Sequence, residues 1–260
     1  MRWIRFTAEG QTAYGILEGD RIAETAGNIF ADWRRTGRMH DLAAVRIEVP
    51  NIPPTFYAAG LNYAKHVLEG AARRGVPANL PTQADIGYRA NNALIAHEQD
   101  VIIPRDATEA IHYEGELAVI IGKKAKNLSE AEAMGCIFGY SIGNDVSERT
   151  WQKDDRTFFR AKNADTFKPM GPWIETELDL DAARTTVRVN GQQTIAFATN
   201  ALLFSIATFI SRTSQYCTLY PGDMMWMGTD GTSPNIVSGD VVEIEITGLG
   251  VLRNRFVREI

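Results

Sequence analysis

The first 50 residues alternate between apolar and polar side chains at the two-residue spacing typical of β-strands. We predict short strands over 3–6, 13–17 and 21–23, with the turn Glu18-Gly19-Asp20 between the last two. A helix is predicted over 29–36, ended by Gly37. Pro50, Pro53 and Pro54 then interrupt the pattern, so we predict a small β-rich N-terminal domain over 1–52 and a larger domain over 53–260.

The larger domain is predicted to contain more strands than helices. Helices are predicted over 61–70, from a capping box at Ser129, and over 200–212. The apolar patterns indicate strands over 56–60, 111–122, 138–147, 224–231, 240–247 and 250–257, and a hairpin over 186–195 that turns at Asn190-Gly191. Because few strands alternate with helices, we predict an α+β, mainly β fold with mixed, mostly antiparallel sheets.

Two stretches lack a regular period. Residues 71–100 are interrupted by Gly75, Pro77 and Pro81. We interpret them either as a lid over a site or as a plain surface loop. Residues 160–173 carry too much proline and glycine for a long helix. We predict a loop there, with Lys162 either held toward a cleft or projecting into solvent.

Glu114 and Glu116 are the first candidates for chemistry. Alternate residues of a strand share a face, so the two carboxylates are expected to project together while 117, 119 and 121 pack on the other side. Two carboxylates directed at one point repel each other unless a proton or a cation lies between them, and a hard divalent cation is the simplest solution. The same spacing recurs at 130/132, 175/177 and 243/245, so spacing alone does not establish a metal site.

Three further residues fit a catalytic site. His66 and Glu69 share a face of the predicted helix, and a carboxylate beside an imidazole orients the ring as in a general base. The alternative is a surface histidine that lies near a glutamate by chance. Asp145 ends a predicted strand, where it either reaches into a site or caps the next turn.

Composition limits the class of protein. The 260 residues are 45% hydrophobic and 23% charged, which is ordinary for a globular protein. The net charge of −5 argues against nucleic-acid and anionic-membrane partners. We find no signal-peptide core and no apolar run near 18 residues, so a cytoplasmic protein is expected. Cys136 and Cys217 are expected to be buried core residues.

The order of several motifs resembles the fumarylacetoacetate hydrolase family. The motifs are Leu61-Asn62-Tyr63-x-x-His66-x-x-Glu69, Tyr113-Glu114-x-Glu116, Asn144-Asp145-Val146-Ser147-x-Arg149, Lys162-x-x-Asp165-Thr166-Phe167 and Gly228-Thr229. The resemblance covers about 56 to the C-terminus. It implies a mixed β-sandwich roll behind a small N-terminal domain, and a homodimer.

The resemblance also implies residue roles. Glu114, Glu116 and Asp145 would bind Mg²⁺ or Mn²⁺, with Ca²⁺ as a substitute and no organic cofactor. His66 and Glu69 would activate water, and Lys162 would contact the substrate. The substrate-binding positions carried over from the family are Thr229, Arg89, Tyr63 and Gly228.

The implied activity is hydrolysis of a carbon–carbon bond in a 2-oxo or 1,3-diketo acid, such as an acylpyruvate or a fumarylpyruvate-like compound of aromatic catabolism. A metal-stabilised enolate would form. The alternative is a decarboxylase or isomerase of a 2-oxo dicarboxylic acid, such as an oxaloacetate- or 2-hydroxymuconate-like compound. His112, Arg89 and Asp230 depart from the common family pattern, which leaves the substrate open.

Two other classes fit the sequence less well. A non-heme iron oxygenase would need two histidines and one carboxylate, whereas His112, Glu114 and Glu116 offer the reverse. A catalytically silent binding protein would not need His66, Glu69 and Lys162 together.

Overall fold

The computed structural model describes residues 1–260, apart from the side chain of Arg74. The N-terminal strands are β1 (Arg2–Ala8), β2 (Gln11–Glu18), β3 (Arg21–Gly27), β4 (Trp33–Asp41) and β5 (Arg46–Ile47). The next strands are β6 (Phe56–Ala59), β7 (Ile86–Tyr88), β8 (Leu94–Ile95), β9 (Val101–Ile103), β10 (Ile111–His112), β11 (Gly115–Ile121), β12 (Ile137–Asn144) and β13 (Ser147–Glu148). The last are β14 (Lys168–Glu175), β15 (Arg184–Val189), β16 (Gln192–Ala198), β17 (Met224–Trp226), β18 (Val241–Ile246) and β19 (Gly250–Arg258). The α-helices are α1 (Ala64–Arg74), α2 (Glu130–Ala133), α3 (Phe159–Asn163) and α4 (Ile206–Tyr216).

A large mixed sheet combines the N-terminal strands with strands of the larger part of the chain. Its strand order is β4-β3-β2-β1-β14-β12-β11-β17-β6-β7, with β5 added beside β1 and β8 beside β14. A second sheet has the order β16-β15-β18-β19-β9, and β10 pairs with β13. Most pairs are antiparallel; β6 with β17, β8 with β14 and β9 with β19 are parallel. The predicted mainly β, mixed-sheet fold is therefore confirmed.

The strand β11 lies in the middle of the large sheet and is buried on both faces. Leu117, Val119 and Ile121 pack into the main core, which also contains side chains of β15, β18, β19 and α4. Ala118 and Ile120 pack on the opposite face among Trp3, Met170 and Trp226. The apolar run after Glu116 thus anchors the two glutamates to a strand that is buried on both faces.

Several local predictions are confirmed. Ser129 and Glu132 form the predicted capping box at α2. Asn190 and Gly191 both have positive φ, at 53° and 78°, as the predicted hairpin turn requires. Ser205 caps α4 by accepting a hydrogen bond from the Thr208 amide, so that helix begins at Ile206 instead of the predicted residue 200.

Three local predictions are wrong. The segment predicted as a helix over 29–36 forms a turn and the start of β4, because β3 supplies backbone partners to that strand and Trp33 packs edge-to-face on Trp3 at 4.9 Å. The stretch predicted as a loop over 160–173 contains α3 and most of β14, since β12 and β8 pair with β14 despite its prolines. Cys136 is buried as predicted, but Cys217 is only half-buried.

The segment 71–100 is less irregular than predicted. Its first residues extend α1, and β7 and β8 lie within it. Among the described residues, no helix is long and apolar enough to span a bilayer. The domain boundary at residue 52 stays a prediction, since β1 is hydrogen-bonded to β14 of the larger part.

Gly143 lets the Trp226 ring lie against β12. A Cβ atom at Gly143 would lie 2.7 Å from that ring, and Trp226 is fully buried. We expect Gly143→Ala to lower the free energy of unfolding by about 1–3 kcal/mol, as overpacked cores do. The measurement is the urea midpoint.

The matched control for this change is Gly135→Ala. A Cβ atom there meets nothing within 4 Å, so its unfolding free energy should stay within about 0.5 kcal/mol of wild type. Equal midpoints for the two variants would contradict the packing argument.

Candidate metal centre and active site

Glu114, Glu116 and Asp145 are brought together by the pairing of two neighbouring strands. β11 and β12 are antiparallel, with Gly115 opposite Asn144 and Glu116 opposite Gly143. The Asn144 side-chain oxygen accepts a hydrogen bond from the Glu114 amide at 3.0 Å, and the Asp145 amide donates to the Glu114 carbonyl at 2.9 Å. The start of one strand and the end of the next therefore fix all three carboxylates in one place.

The three carboxylates form a compact, buried acidic cluster. Each offers one oxygen that lies within 4.8 Å of the others. The residues are 6%, 3% and 1% exposed in chain order. Burial of three carboxylates without compensation would be strongly unfavourable, so the surroundings must provide positive charge.

Four basic side chains surround the cluster. Lys162 Nζ lies 2.5 Å from Glu114 and 2.8 Å from Asp145. Asp145 also pairs with Lys168 at 2.7 Å and with Arg89 at 2.8 Å. Arg149 pairs with Glu114 at 2.5 Å, whereas the contact made by Glu116 is a hydrogen bond from the Gly228 amide at 2.8 Å.

The uneven distribution of these cations separates the pKa values of the carboxyl groups. Burial opposes ionisation of Glu114, but Arg149 and Lys162 outweigh it and lower its pKa to about 2. Arg89, Lys162 and Lys168 likewise overcome burial at Asp145 and hold its pKa well below the usual range. Burial, Asp145 and Glu114 raise the pKa of Glu116 to about 8. Without a bound cation, Glu116 is thus mainly protonated at neutral pH.

This arrangement fits a hard divalent cation. Three convergent carboxylate oxygens are ligands that Mg²⁺ and Mn²⁺ prefer. Lys162 places an ammonium group between two of the three carboxylates, so positive charge already lies at this point. A divalent cation would replace that charge and the proton on Glu116.

Two cavities adjoin each other at this site, and the inner one opens onto the cluster. The inner cavity, of about 210 Å³, is lined by the three acidic residues, Lys162 and Arg89. The outer cavity has a volume of about 490 Å³. His66 and Thr229 line both. These two residues therefore stand at the boundary through which a substrate would pass.

His66 is held by the backbone of a neighbouring loop. Its Nδ1 lies 2.5 Å from the Gly231 carbonyl oxygen, and because a carbonyl only accepts, Nδ1 carries the proton. The Nε2 atom of a neutral ring is then free to accept a proton. Glu69, predicted to orient the imidazole, instead has its nearest charged partner in Lys65, at 3.8 Å, so its catalytic role stays a prediction.

The predicted substrate-binding residues fall into two groups. Gly228 and Thr229 line the inner cavity, and Gly228 has a φ of +87°, which favours glycine. Arg89 also lines it, although its guanidinium is engaged with Asp145. Tyr63 differs from the prediction: it is 1% exposed, and its hydroxyl donates to the Thr199 carbonyl in the core.

The sequence interpretation missed two charged residues. Lys168 is fully buried and contacts Asp145, and its burial lowers the pKa of its ammonium group to about 8. Arg149 belonged to a recognised motif but had no role assigned. The sequence did contain a signal for Lys168, because this lysine lies between Phe167 and Pro169 in an apolar stretch. A lysine in such a stretch needs a buried partner.

Comparison with known families decides the classification. Residues 55–257 match the model described as fumarylacetoacetate (FAA) hydrolase C-terminal. The chain belongs to the fumarylacetoacetate hydrolase family. Residues 1–50 match the Rv2993c-like N-terminal model.

Relatives in this family carry out several reactions. The chain is 35% identical to Protein Rv2993c of Mycobacterium tuberculosis, over 100% of this chain and 99% of that one. It is 39% identical to the 4-hydroxyphenylacetate degradation bifunctional isomerase/decarboxylase of Salmonella dublin, over 79% of this chain and 47% of that one.

Solved structures show the same range. A 5-carboxymethyl-2-hydroxymuconate delta-isomerase from Mycobacterium smegmatis has a TM-score of 0.90, 37% identity and full coverage of both chains. The maleylpyruvate hydrolase of Sphingobium sp. SYK-6, solved with manganese(II) and pyruvate, has a TM-score of 0.80, 26% identity and full coverage of both chains. The family therefore includes isomerases, decarboxylases and hydrolases.

Loss of a carboxylate from the acidic cluster tests the metal site. We expect Glu114→Gln and Asp145→Asn each to weaken Mn²⁺ binding by about 100-fold or more, since even changes behind a ligand cost about 10- to 100-fold. Isothermal titration calorimetry measures the affinity. The control is Glu245→Gln, which has the same Glu-x-Glu spacing but pairs with Arg188 at 2.7 Å on a partly exposed strand. Unchanged affinity in both cluster variants would refute the assignment.

Removal of the competing ammonium group should have the opposite effect. Lys162 and a metal ion would share oxygens of Glu114 and Asp145, so Lys162→Met is expected to tighten Mn²⁺ binding by about tenfold or more. The control is the exposed Lys126→Met, measured by the same titration. Weaker binding in Lys162→Met would mean that the lysine supports the metal instead of competing with it.

Proposed function

We propose that the protein is a divalent-metal-dependent hydrolase that cleaves a carbon–carbon bond in an acylpyruvate or related 2-oxo acid of small-molecule or aromatic catabolism. The observation that carries this proposal is the position of His66. A histidine with Nδ1 bonded to a carbonyl lies at the boundary of the cavity that contains the acidic cluster. Hydrolysis needs such a base, whereas an enolate can form by decarboxylation without an attacking water.

Several polar groups in or beside the inner cavity have a part in the proposed reaction. Glu114, Glu116 and Asp145 would hold Mg²⁺ or Mn²⁺, which supplies Lewis-acid polarisation of the 2-oxo acid when bound. Arg89 and Lys168 keep Asp145 ionised and oriented. Lys162 is placed to donate a hydrogen bond to the oxygen on which negative charge develops.

His66 would begin the reaction by accepting a proton from water at Nε2. The water oxygen bonds to the carbonyl carbon farther from the carboxylate, and the bond from that carbon to the methylene carbon breaks. The electron pair passes to the methylene carbon as the pyruvate enolate, which takes up the proton from His66. One water is consumed, and a carboxylic acid and pyruvate are formed.

The second candidate function is isomerisation or decarboxylation of a 2-oxo dicarboxylic acid at the same centre. The isomerase/decarboxylase and the isomerase that resemble this chain support it. Both reactions pass through the same kind of enolate, so the acidic cluster and Lys162 serve them equally. They differ from hydrolysis in their need for an activated water.

We further propose that the protein acts in the cytoplasm as a homodimer on a small-molecule substrate, without a nucleic-acid or membrane partner. Family membership supports the dimer, and the net charge of −5 supports the absence of polyanionic partners.

The test of the main proposal is His66→Gln with two substrates. Loss of the base should reduce acetylpyruvate hydrolysis by about 10²- to 10⁴-fold, while oxaloacetate decarboxylation should change only a few-fold. The assays follow diketone absorbance and released CO₂ with Mg²⁺ or Mn²⁺, and EDTA should abolish both.

The matched control is Lys65→Gln, a change at the neighbouring, exposed position of the same helix. Its rates should equal those of wild type. If the His66→Gln variant hydrolysed acetylpyruvate at the wild-type rate, His66 would not be the base. If the unmodified protein turned over oxaloacetate alone, the second candidate function would be favoured.

A further inference from the structure

The helix α1 presents three residues to the outer cavity. His66, Gly70 and Arg73 are spaced by four and three residues, so they lie on one face of the helix, and all three line that cavity. His66 also lines the inner cavity beside the acidic cluster. A single rigid element thus connects the proposed base with a cation farther out.

The outer cavity carries an excess of positive charge. Arg73, Arg149 and Lys153 line it, and the one carboxylate on its wall belongs to Asp230. That carboxylate already accepts hydrogen bonds from the backbone amides of His66 and Gly231, at 3.1 and 2.8 Å. Its capacity to neutralise the three cations is therefore reduced.

Arg73 has a neutral partner. Its guanidinium donates to the Thr232 hydroxyl at 2.5 Å. Among the residues whose side chains are described, neither Arg73 nor Lys153 takes part in an ion pair of the structure. Arg149 differs, because it is paired with Glu114 at 2.5 Å. Two of the three cations therefore have charge available for an anionic ligand.

A second neighbour of Arg149 is the His112 ring. The Arg149 Nε atom donates to His112 Nδ1 at 3.2 Å, and His112 Nε2 lies 3.0 Å from the Asn235 side-chain oxygen. Since Nδ1 accepts, the proton of a neutral ring lies on Nε2 and is donated to Asn235. This wall of the cavity contributes hydrogen bonds but no negative charge.

The spacing along α1 sets the length of ligand that fits. Arg73 lies seven positions after His66, which corresponds to about 10 Å along the helix axis. Leu61, Arg149, Gln152 and Phe158 line both cavities, so the two cavities adjoin along this wall. A ligand that reaches from the acidic cluster to Arg73 must be longer than the four-carbon oxaloacetate.

We propose that Arg73, assisted by Lys153, binds a second carboxylate at the far end of the substrate. The preferred substrates are then extended 2-oxo diacids, and acids with an apolar end are disfavoured. The inference rests on the proposed function in one respect: the 2-oxo acid end must lie at the acidic cluster. It assigns Arg73 to selection of the substrate, with no part in the bond-breaking step.

The test is binding to the Mg²⁺-loaded protein, measured by calorimetry with two stable acids of equal length. 2-Oxoheptanedioate carries the distal carboxylate, and 2-oxoheptanoate lacks it. Wild type should bind the diacid about 10- to 100-fold more tightly, as expected for a hydrogen bond between charged groups. Arg73→Gln should remove that difference and leave the affinity for the monoacid and for oxalate unchanged.

Two variants complete the design. Arg73→Lys should retain part of the preference for the diacid, and the exposed Arg34→Gln on β4 should retain all of it. Equal affinity of wild type for the two acids, or an unchanged preference in Arg73→Gln, would overturn the proposal. Neither acid contains the bond that the hydrolase would cleave, so failure of the hydrolase assay would leave this result intact. If the wild-type protein did not bind oxalate, the assignment of the 2-oxo acid site itself would be rejected.

Discussion

The burial of three carboxylates at one point is the constraint on which the rest of the site depends. Coulomb repulsion among them must be offset inside the protein, because little water reaches residues that are at most 6% exposed. The fold supplies the offset from four separate places: Arg89 after β7, Arg149 after β13, Lys162 on α3 and Lys168 at the start of β14. Arg89 is distant in sequence from the other three residues, so the acidic cluster also links parts of the chain that local structure leaves independent.

The three carboxylates have different partners, and this difference affects their charge. Glu114 and Asp145 have charged partners, whereas Glu116 has a backbone amide. The raised pKa of Glu116 favours its protonated form, which reduces the negative charge that the surrounding cations have to offset. The balance of charge, rather than a rigid preformed cage, thus makes the cluster compatible with folding.

The sequence predicted the parts of the structure that depend on local pattern and on a specific order of motifs. The strand of Glu116, the hairpin at Asn190-Gly191 and the capping box at Ser129 follow from short-range periodicity and turn chemistry. The segment 29–36, which includes the start of β4, was mistaken for a helix because the residues of β4 are mostly exposed and its partner β3 determines its conformation. The burial of Lys168 and Tyr63 was not foreseen for a related reason: burial of a side chain is decided by elements far away in sequence.

The arrangement of His66, Gly70 and Arg73 on one helix face has a consequence for how new specificities arise in this scaffold. A helix positions side chains in discrete steps, so the distance between the reacting end and the anion-binding end of a substrate can change only in fixed increments along the helix axis. Moving the cation from position 73 to position 70 would shorten that distance by about 4–5 Å. Relatives that share the metal chemistry could therefore diverge toward acids of different length through one or two substitutions on α1, with the catalytic centre left untouched.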